Sequence, residues 1–184
     1  MKTTTRQVTL TGITPIMFDK YLSMNGQEVA PEQKFYLAQD GESLMFPSAN
    51  ISSFLSADLT ESATKRVIGK KWRGVAKAAL SYVDISPVEI PIKRDGVQLT
   101  LDNSNYLIDK RVARVKKTGG LIVPSEKVRP VLTTPWEMTF TITLFENADL
   151  NEPTLRRIFE EGGISIGLGT FRGVFGKFKV SEWK

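Results

Sequence analysis

From Trp136 to Leu144 the chain changes character at every step. Trp136, Met138, Phe140, Ile142 and Leu144 are apolar, and Glu137, Thr139, Thr141 and Thr143 between them are polar. Strict alternation over this length predicts a strand with one buried and one open face. The same period opens the chain: over residues 6–18, Val8 and Leu10 alternate with Thr9 and Thr11. It also closes the chain, where Phe178 and Val180 alternate with Lys177, Lys179 and Ser181. "SPVEIPI", residues 86–92, reads as a strand that its prolines place near an edge or a strand end. Asp95-Gly96 then marks a turn before the short strand "VQLTL". The polar stretch over residues 19–46 carries turn signals at Asn25-Gly26 and Asp40-Gly41, and predicts a hairpin with strands at 35–37 and 44–46.

Helical spacing appears three times. After Pro47, Ser48 is placed to cap a helix whose first apolar residues are Ile51, Phe54 and Leu55. Over residues 62–83, Ile68, Trp72, Val75, Ala79 and Val83 share one face, and Arg66, Lys70, Arg73 and Lys77 share another. Gly69 and Gly74 each weaken this helix by about 1 kcal/mol relative to alanine. Further on, Asn151 is a cap, Pro153 falls in the first turn, and Leu155, Ile158 and Phe159 form the buried stripe of a short helix that Gly162-Gly163 should end.

Between the strand near residue 90 and the strand at 136 lies a basic window. Residues 105–131 contain Lys110, Arg111, Arg114, Lys116, Lys117, Lys127 and Arg129 against Asp109 and Glu126. That is +5, equal to the net charge of the whole chain, so the remainder balances. Val112 and Val115 precede Gly119-Gly120, and residues 121–123 follow, which reads as a long basic hairpin. The order is therefore strand, helix, strand, hairpin insertion, strand, helix, strand. This is the split βαβ, ferredoxin-like (RRM-like) α+β order, an antiparallel sheet with helices on one face. We expect one domain over residues 1–184, with insertions at about 19–46 and 93–133.

The chain has 184 residues, no cysteine and no histidine. These absences remove disulfides, thiolate chemistry, most zinc sites and histidine acid–base catalysis, and leave carboxylate-bound magnesium open. No apolar run approaches the roughly 20 residues that span a bilayer, and the N-terminus lacks the pattern of a secretory signal. The expectation is a soluble protein of a bacterial cytoplasm, or a phage protein in it, with no cofactor and no membrane partner. Basic charge gathered on one element suits a polyanion, although a solvated hairpin and a solvated helix face give the same pattern.

Six glycines fall within residues 162–176, threaded with Phe171, Arg172, Phe175 and, just after, Lys177. A nucleoside-triphosphate loop needs Ser or Thr after Gly-Lys, and Phe178 stands there; a dinucleotide loop needs a sixth-position glycine, and Arg172 stands there. The loop also follows a helix and precedes a strand, the reverse of both motifs. Two readings remain. The glycines supply left-handed turns and a bulge, or they let a sugar–phosphate chain approach, with Phe171 and Arg172 placed to stack a base and pair a phosphate.

The ferredoxin-like order ending in a helix and then "GGISIGLGTFRGVFGKFKV" resembles the RAMP superfamily of CRISPR-associated RNA-binding proteins. Their hallmark is a glycine-rich loop of the type G-x-G-x-x-x-x-G-x-G before the last strand. Gly167, Gly169, Gly173 and Gly176 occupy it here with altered spacing. Residues 44–55, "LMFPSANISSFL", are similar to the family's entry into its first helix, although the family's glycine and lysine are absent. The basic hairpin stands where backbone subunits carry a thumb. The resemblance implies a non-catalytic binder of single-stranded, guide-like RNA, forming homo-oligomers along the strand or joining other CRISPR-type subunits. Its contacts would come from Arg66, Lys70 and Arg73 on the helix, Lys110, Arg111, Arg114, Lys116 and Lys117 on the hairpin, and Phe171, Arg172 and Lys177 at the loop, with no metal site. Two alternatives stand beside it. One is a phage structural or CRISPR-interfering protein acting through protein contacts. The other is a metal-dependent ribonuclease using a loop aspartate, with Asp19, Asp40 and Asp58 as candidates.

Overall fold

The computed structural model describes residues 2–22, 29–116 and 118–184; the expected Asn25-Gly26 turn and Lys117 lie outside the described residues. Its main sheet is built on β1 (Thr3–Gly12) and β9 (Glu137–Phe145), paired antiparallel over nine residues from Thr3↔Phe145 to Thr11↔Glu137. β10 (Phe178–Trp183) pairs with the outer side of β1. The outer side of β9 takes two short strands end to end, β4 (Val83–Ser86) and β5 (Glu89–Arg94). Two further short strands, β3 (Met45–Pro47) and β6 (Val97–Gln98), pair with β5. The core order β10–β1–β9–β4 is that of a ferredoxin-like α+β fold, as the strand–helix order predicts.

The inward residues of these strands, Val8, Leu10, Met138, Phe140, Ile142, Leu144 and Phe178, are fully or almost fully buried. They meet α1 (Ser48–Ser56), α2 (Ala63–Ile68), α3 (Trp72–Tyr82) and α4 (Glu152–Ser165). Phe54 and Phe159 sit 5.6 Å apart at the centre of this layer, and Phe178 is 5.6 Å from Phe54. α4 starts where expected: the Asn151 side chain accepts from the Thr154 N–H at 3.0 Å.

Five local expectations change. The opening strand is not continuous over 6–18. Pro15 has no N–H for a ladder, and the chain leaves the main sheet to form β2 (Ile16–Met17) elsewhere. Ser48 is the first residue of α1 rather than its cap; its N–H donates to Val88 O at 2.9 Å, and Pro47 holds the cap position. The helix expected over 62–83 breaks at Gly69, whose φ of +66° is outside helical space, and a short 3-10 turn over Gly69–Lys71 separates α2 from α3. Gly162 and Gly163 do not end α4 but lie buried inside it. Within the stretch 35–46 the expected hairpin is reduced to one bridge, Leu37↔Leu44, while Ser43 bridges to Thr100 and β3 joins β5.

The inserted hairpin is β7 (Tyr106–Lys116) and β8 (Ile122–Leu132), eleven residues each, paired from Tyr106↔Leu132 at the root to Lys116↔Ile122 near the tip. β2 adds to β8 through Ile16↔Leu132 and Met17↔Val131. The root is therefore built into the body, with Tyr106, Arg129, Val131 and Leu132 buried. Towards the tip Val112, Leu121 and Ile122 are exposed. No helix among the described residues is long and apolar enough to cross a membrane.

Candidate nucleic-acid interface

The open face of the main sheet is a threonine surface. Thr9 and Thr139 hydroxyls are 3.0 Å apart, Thr5 and Thr143 are 3.4 Å apart, and Thr11 meets Ser181 at 2.8 Å. Sheets that bind RNA by stacking carry aromatic rings at such central positions. Here Glu137 and Glu182 add acidic groups instead. The chemistry suited to a polyanion lies elsewhere, where the glycine loop, α1 and the hairpin root converge.

The loop is held from beneath by β2 and the residue before it. Thr170 N–H donates to Met17 O at 2.9 Å and Gly176 N–H to Pro15 O at 2.7 Å; within the loop, Leu168 N–H donates to Gly176 O at 2.9 Å and Gly173 N–H to Ile166 O at 2.7 Å. All four loop glycines have positive φ, between +73° and +88°. At Gly176 a Cβ would stand 1.8 Å from Leu168 O, at Gly169 2.5 Å from Met17 O, and at Gly167 2.5 Å from the Gly176 carbonyl. The backbone that approaches these three glycines is the protein's own. A Cβ at Gly173 would meet nothing within 4 Å.

Over the loop lies a cleft of about 250 Å³ lined by Met17, Phe18, Asp19, Tyr36, Phe46, Asn50, Ser53, Phe54, Leu168, Gly169, Thr170 and Arg172. Arg172 donates to Thr60 Oγ1 at 3.2 Å through one nitrogen. Burial pulls its guanidinium below the ordinary arginine value, against the nearby Glu61 charge, but arginine remains cationic. A second cleft, about 230 Å³, is lined by Asp19, Lys20, Tyr21, Leu22, Val29, Lys34 and Lys127. Asp19 belongs to both, so the two clefts adjoin. It is held by Arg129 at 2.7 Å and Lys34 at 3.4 Å.

The hairpin is latched to the loop. The Arg111 guanidinium stands 4.7 Å from the Phe171 ring centre and 5.2 Å from that of Phe175, and Asp109 holds it from behind, Nε to Oδ1 at 2.6 Å. The hydrogen bond from Arg111, opposed by partial burial, keeps the Asp109 carboxyl below the usual range. Phe171 is 42% exposed, so one part of the ring meets Arg111 and part meets solvent.

The remaining sequence candidates are dispersed. Lys110 pairs with Glu126 at 3.1 Å, while Arg114 and Lys116 are exposed further along the hairpin and have no ion-pair partner among the described residues. On the helices, Arg66 pairs with Glu61 at 3.5 Å, Arg73 stacks on Trp72 at 5.4 Å, and Lys70 is exposed. None of these three lines either cleft. Lys177 is half-buried, and its backbone N–H donates to Thr14 Oγ1 at 2.9 Å. The structure adds groups that sequence reasoning passed over, Tyr36, Asn50, Ser53 and Thr170 in the first cleft and Lys20 and Lys34 in the second, where Lys127 of the basic window joins them. Asn50 and Ser53 carried a faint signal, being three apart on the polar side of a short helix; Lys20 and Lys34 carried none.

Of the aspartates weighed for catalysis, Asp19 is neutralised as described. Asp40 closes a turn by accepting from the N–H groups of Glu42 and Ser43 at 2.9 and 2.8 Å. Asp58 is exposed and 3.9 Å from Lys65. Among the described residues no three carboxylates converge in a way that could hold a metal ion.

Together these features define a ferredoxin-like α+β protein with a latched hairpin and two adjoining clefts at its root. A scan against known protein families finds no match, and neither does a search of curated proteins. Among solved structures, the chain is similar to one from the cryo-EM structure of the Type III-B Cmr-beta bound to cognate target RNA. The TM-score is 0.54 and the identity 14%; all of this chain is covered and 60% of that one. This chain thus spans less than two thirds of its neighbour's length, and the likeness is one of fold.

Proposed function

We propose that this protein binds single-stranded RNA without cutting it, as a CRISPR-associated, RAMP-like module. The observation that carries the proposal is the continuity of the two clefts. Arg172 lines one, Lys20, Lys34 and Lys127 line the other, and Asp19, already satisfied by Arg129 and Lys34, lies between them. A single strand laid from the glycine loop to the hairpin root meets cations along its phosphates and aromatic rings beside its bases, the combination that single-strand binders use. The RNA-bound state of the structural neighbour supports the choice of RNA. On this reading Arg114 and Lys116 extend the cationic surface outwards, and the protein works in the cytoplasm beside copies of itself or other CRISPR-type subunits.

The test is fluorescence anisotropy of a labelled single-stranded RNA of about 30 nucleotides across a salt series. Such a length spans several of the roughly 4–16-nucleotide sites usual for these binders. The expected result is tight binding at low salt that falls steeply as salt rises, because phosphate contacts release counterions. Absence of binding at low salt overturns it. A second reading, docking through protein contacts, is favoured by one feature: Val112, Leu121 and Ile122 are each more than 60% exposed on the hairpin. It is tested by whether replacing Val112 and Ile122 with serine abolishes self-association or capture of a protein partner while leaving RNA affinity unchanged.

A further inference from the structure

The first cleft has a composition that phosphate binding does not require. Its floor is aromatic: Phe18 lies 6.2 Å from Phe46 and 6.4 Å from Tyr36, ring centre to ring centre, and Phe54 also lines it. Above this floor stand the Asn50 amide and the hydroxyls of Tyr36, Ser53 and Thr170. None of these four side chains makes a hydrogen bond among the described residues, whereas Asn105, Asn147 and Asn151 do, at turns and at a helix cap. An apolar floor with a few unengaged polar groups is the profile of a ligand pocket. At about 250 Å³ it is smaller than the roughly 300–1,000 Å³ of drug-sized sites. One planar ring system fits, and a folded oligonucleotide does not.

The surroundings select the occupant. The cleft adjoins the lysine-lined one through Asp19, so an anionic chain leaving the first meets cations in the second. Arg172 stands at the wall with part of its guanidinium unengaged. A carboxamide donates and accepts at once, which matches the paired donor and acceptor groups on a base edge. Bases of single-stranded RNA are recognised in this way, splayed out, laid on an aromatic ring and bonded at the edge. Building on the RNA-binding reading, we propose that this cleft receives one unstacked nucleobase of the bound strand, with Tyr36 as its aromatic wall, Asn50 reading its edge and Arg172 on its phosphate.

On this reading Asn50 acts on the base and Arg172 on the backbone, so of the two Asn50 is the one that influences which base is preferred. The experiment uses the full chain, 30-mers of oligo(A) and oligo(U), and an oligo(U) strand carrying 4-thiouridine for photo-crosslinking with mass-spectrometric mapping. The expected crosslinks fall on Tyr36 and on the peptide around Asn50. Asn50→Ala should change the affinity ratio between oligo(A) and oligo(U) by about fivefold to tenfold, within the range for a lost base contact. Tyr36→Leu should weaken both strands by about tenfold, as loss of a stacking ring does. Arg172→Gln should weaken both by one common factor. Melting curves confirm that each variant is folded. RNA binding with crosslinks confined to β7 and β8 and an unchanged ratio in Asn50→Ala overturns the base pocket while leaving RNA binding intact. Failure of the unmodified protein to bind either strand overturns both.

Discussion

Gly162 lies in the interior of α4, where helix propensity favours alanine by about 0.8–1.0 kcal/mol. The packing of α4 on α2 reverses that sign. A Cβ at Gly162 would stand 2.4 Å from the Ala63 Cβ and 3.0 Å from the Phe54 ring, against an optimal carbon–carbon contact of about 3.5–4.0 Å. Ala63 has no rotamer to change, and Phe54 is fixed between Phe159 and Phe178. The two helices must therefore separate by about 1 Å or more to reach ordinary contact. Overpacking of this kind costs about 1–3 kcal/mol, sometimes more. With the propensity gain included, Gly162→Ala is expected to lose about 1 kcal/mol, a fall in Tm of about 2–4 °C for a chain of this size. Gly74→Ala is the matched control. It has the same propensity gain, but its nearest neighbour is the exposed Asp149 carboxylate at 3.3 Å, which can swing away. It should hold or raise the Tm. Thermal unfolding followed by circular dichroism reads both variants, and a Gly162→Ala protein as stable as the parent or more so refutes the close α2–α4 contact. The contact matters for the site because the Gly162 carbonyl accepts from the N–H groups of Ile166 and Gly167 at 2.9 and 3.0 Å, where the glycine loop begins.

Three further outcomes follow from the same geometry. Arg111→Ala removes the latch between hairpin and loop; at about 0.5–1 kcal/mol per exposed cation–π contact, it should speed amide exchange in 107–113 and 170–175 while the Tm falls only slightly, and unchanged exchange in both segments counts against the latch. Arg94 donates to Pro135 O and Thr133 O, both at 2.8 Å, and to Asn105 Oδ1 at 3.1 Å, tying β5 to both ends of the hairpin insertion. Arg94→Ala should lose about 2 kcal/mol in urea unfolding, within the range for hydrogen bonds from a charged group. Burial raises the Glu152 carboxyl, but bonds from Trp183 Nε1 at 3.0 Å and from Arg6 outweigh it and hold the pKa below the ordinary value. A depressed folded pKa gives stability that is fully present above the unfolded value of about 4.3 and lost as the pH falls through the folded one. Glu152→Gln should therefore be less stable than the parent at pH 7, with the gap closing below about pH 4; a constant gap down to pH 2 contradicts the assignment.

Much of the framework was legible because its signals are local. The alternation from Trp136 to Leu144 is β9, the Asn151 cap starts α4, and the basic window is the hairpin β7–β8. What the sequence concealed depends on distant partners. Gly162 reads as a helix terminator until Ala63 is found against it, and Gly69, read as a weak point within one helix, takes a φ that separates two. The loop glycines suggested room for a ligand backbone, yet Gly167, Gly169 and Gly176 are filled by the chain itself. Phe171 was an open stacking platform until Arg111, sixty positions earlier, was found over it. Lys20, Lys34 and Lys127 meet only because β8 passes the segment before α1, a proximity with no periodicity to reveal it.

Hydrogen exchange of the full chain, free and saturated with a 30-nucleotide single-stranded RNA, tests most directly whether RNA lies across the adjoining clefts. The account predicts slower exchange on binding in residues 31–36, 50–54 and 168–173 and around Lys127, with the threonine face of β1 and β9 unchanged. Protection centred on that sheet face, or none at the glycine loop while RNA is bound, would contradict it.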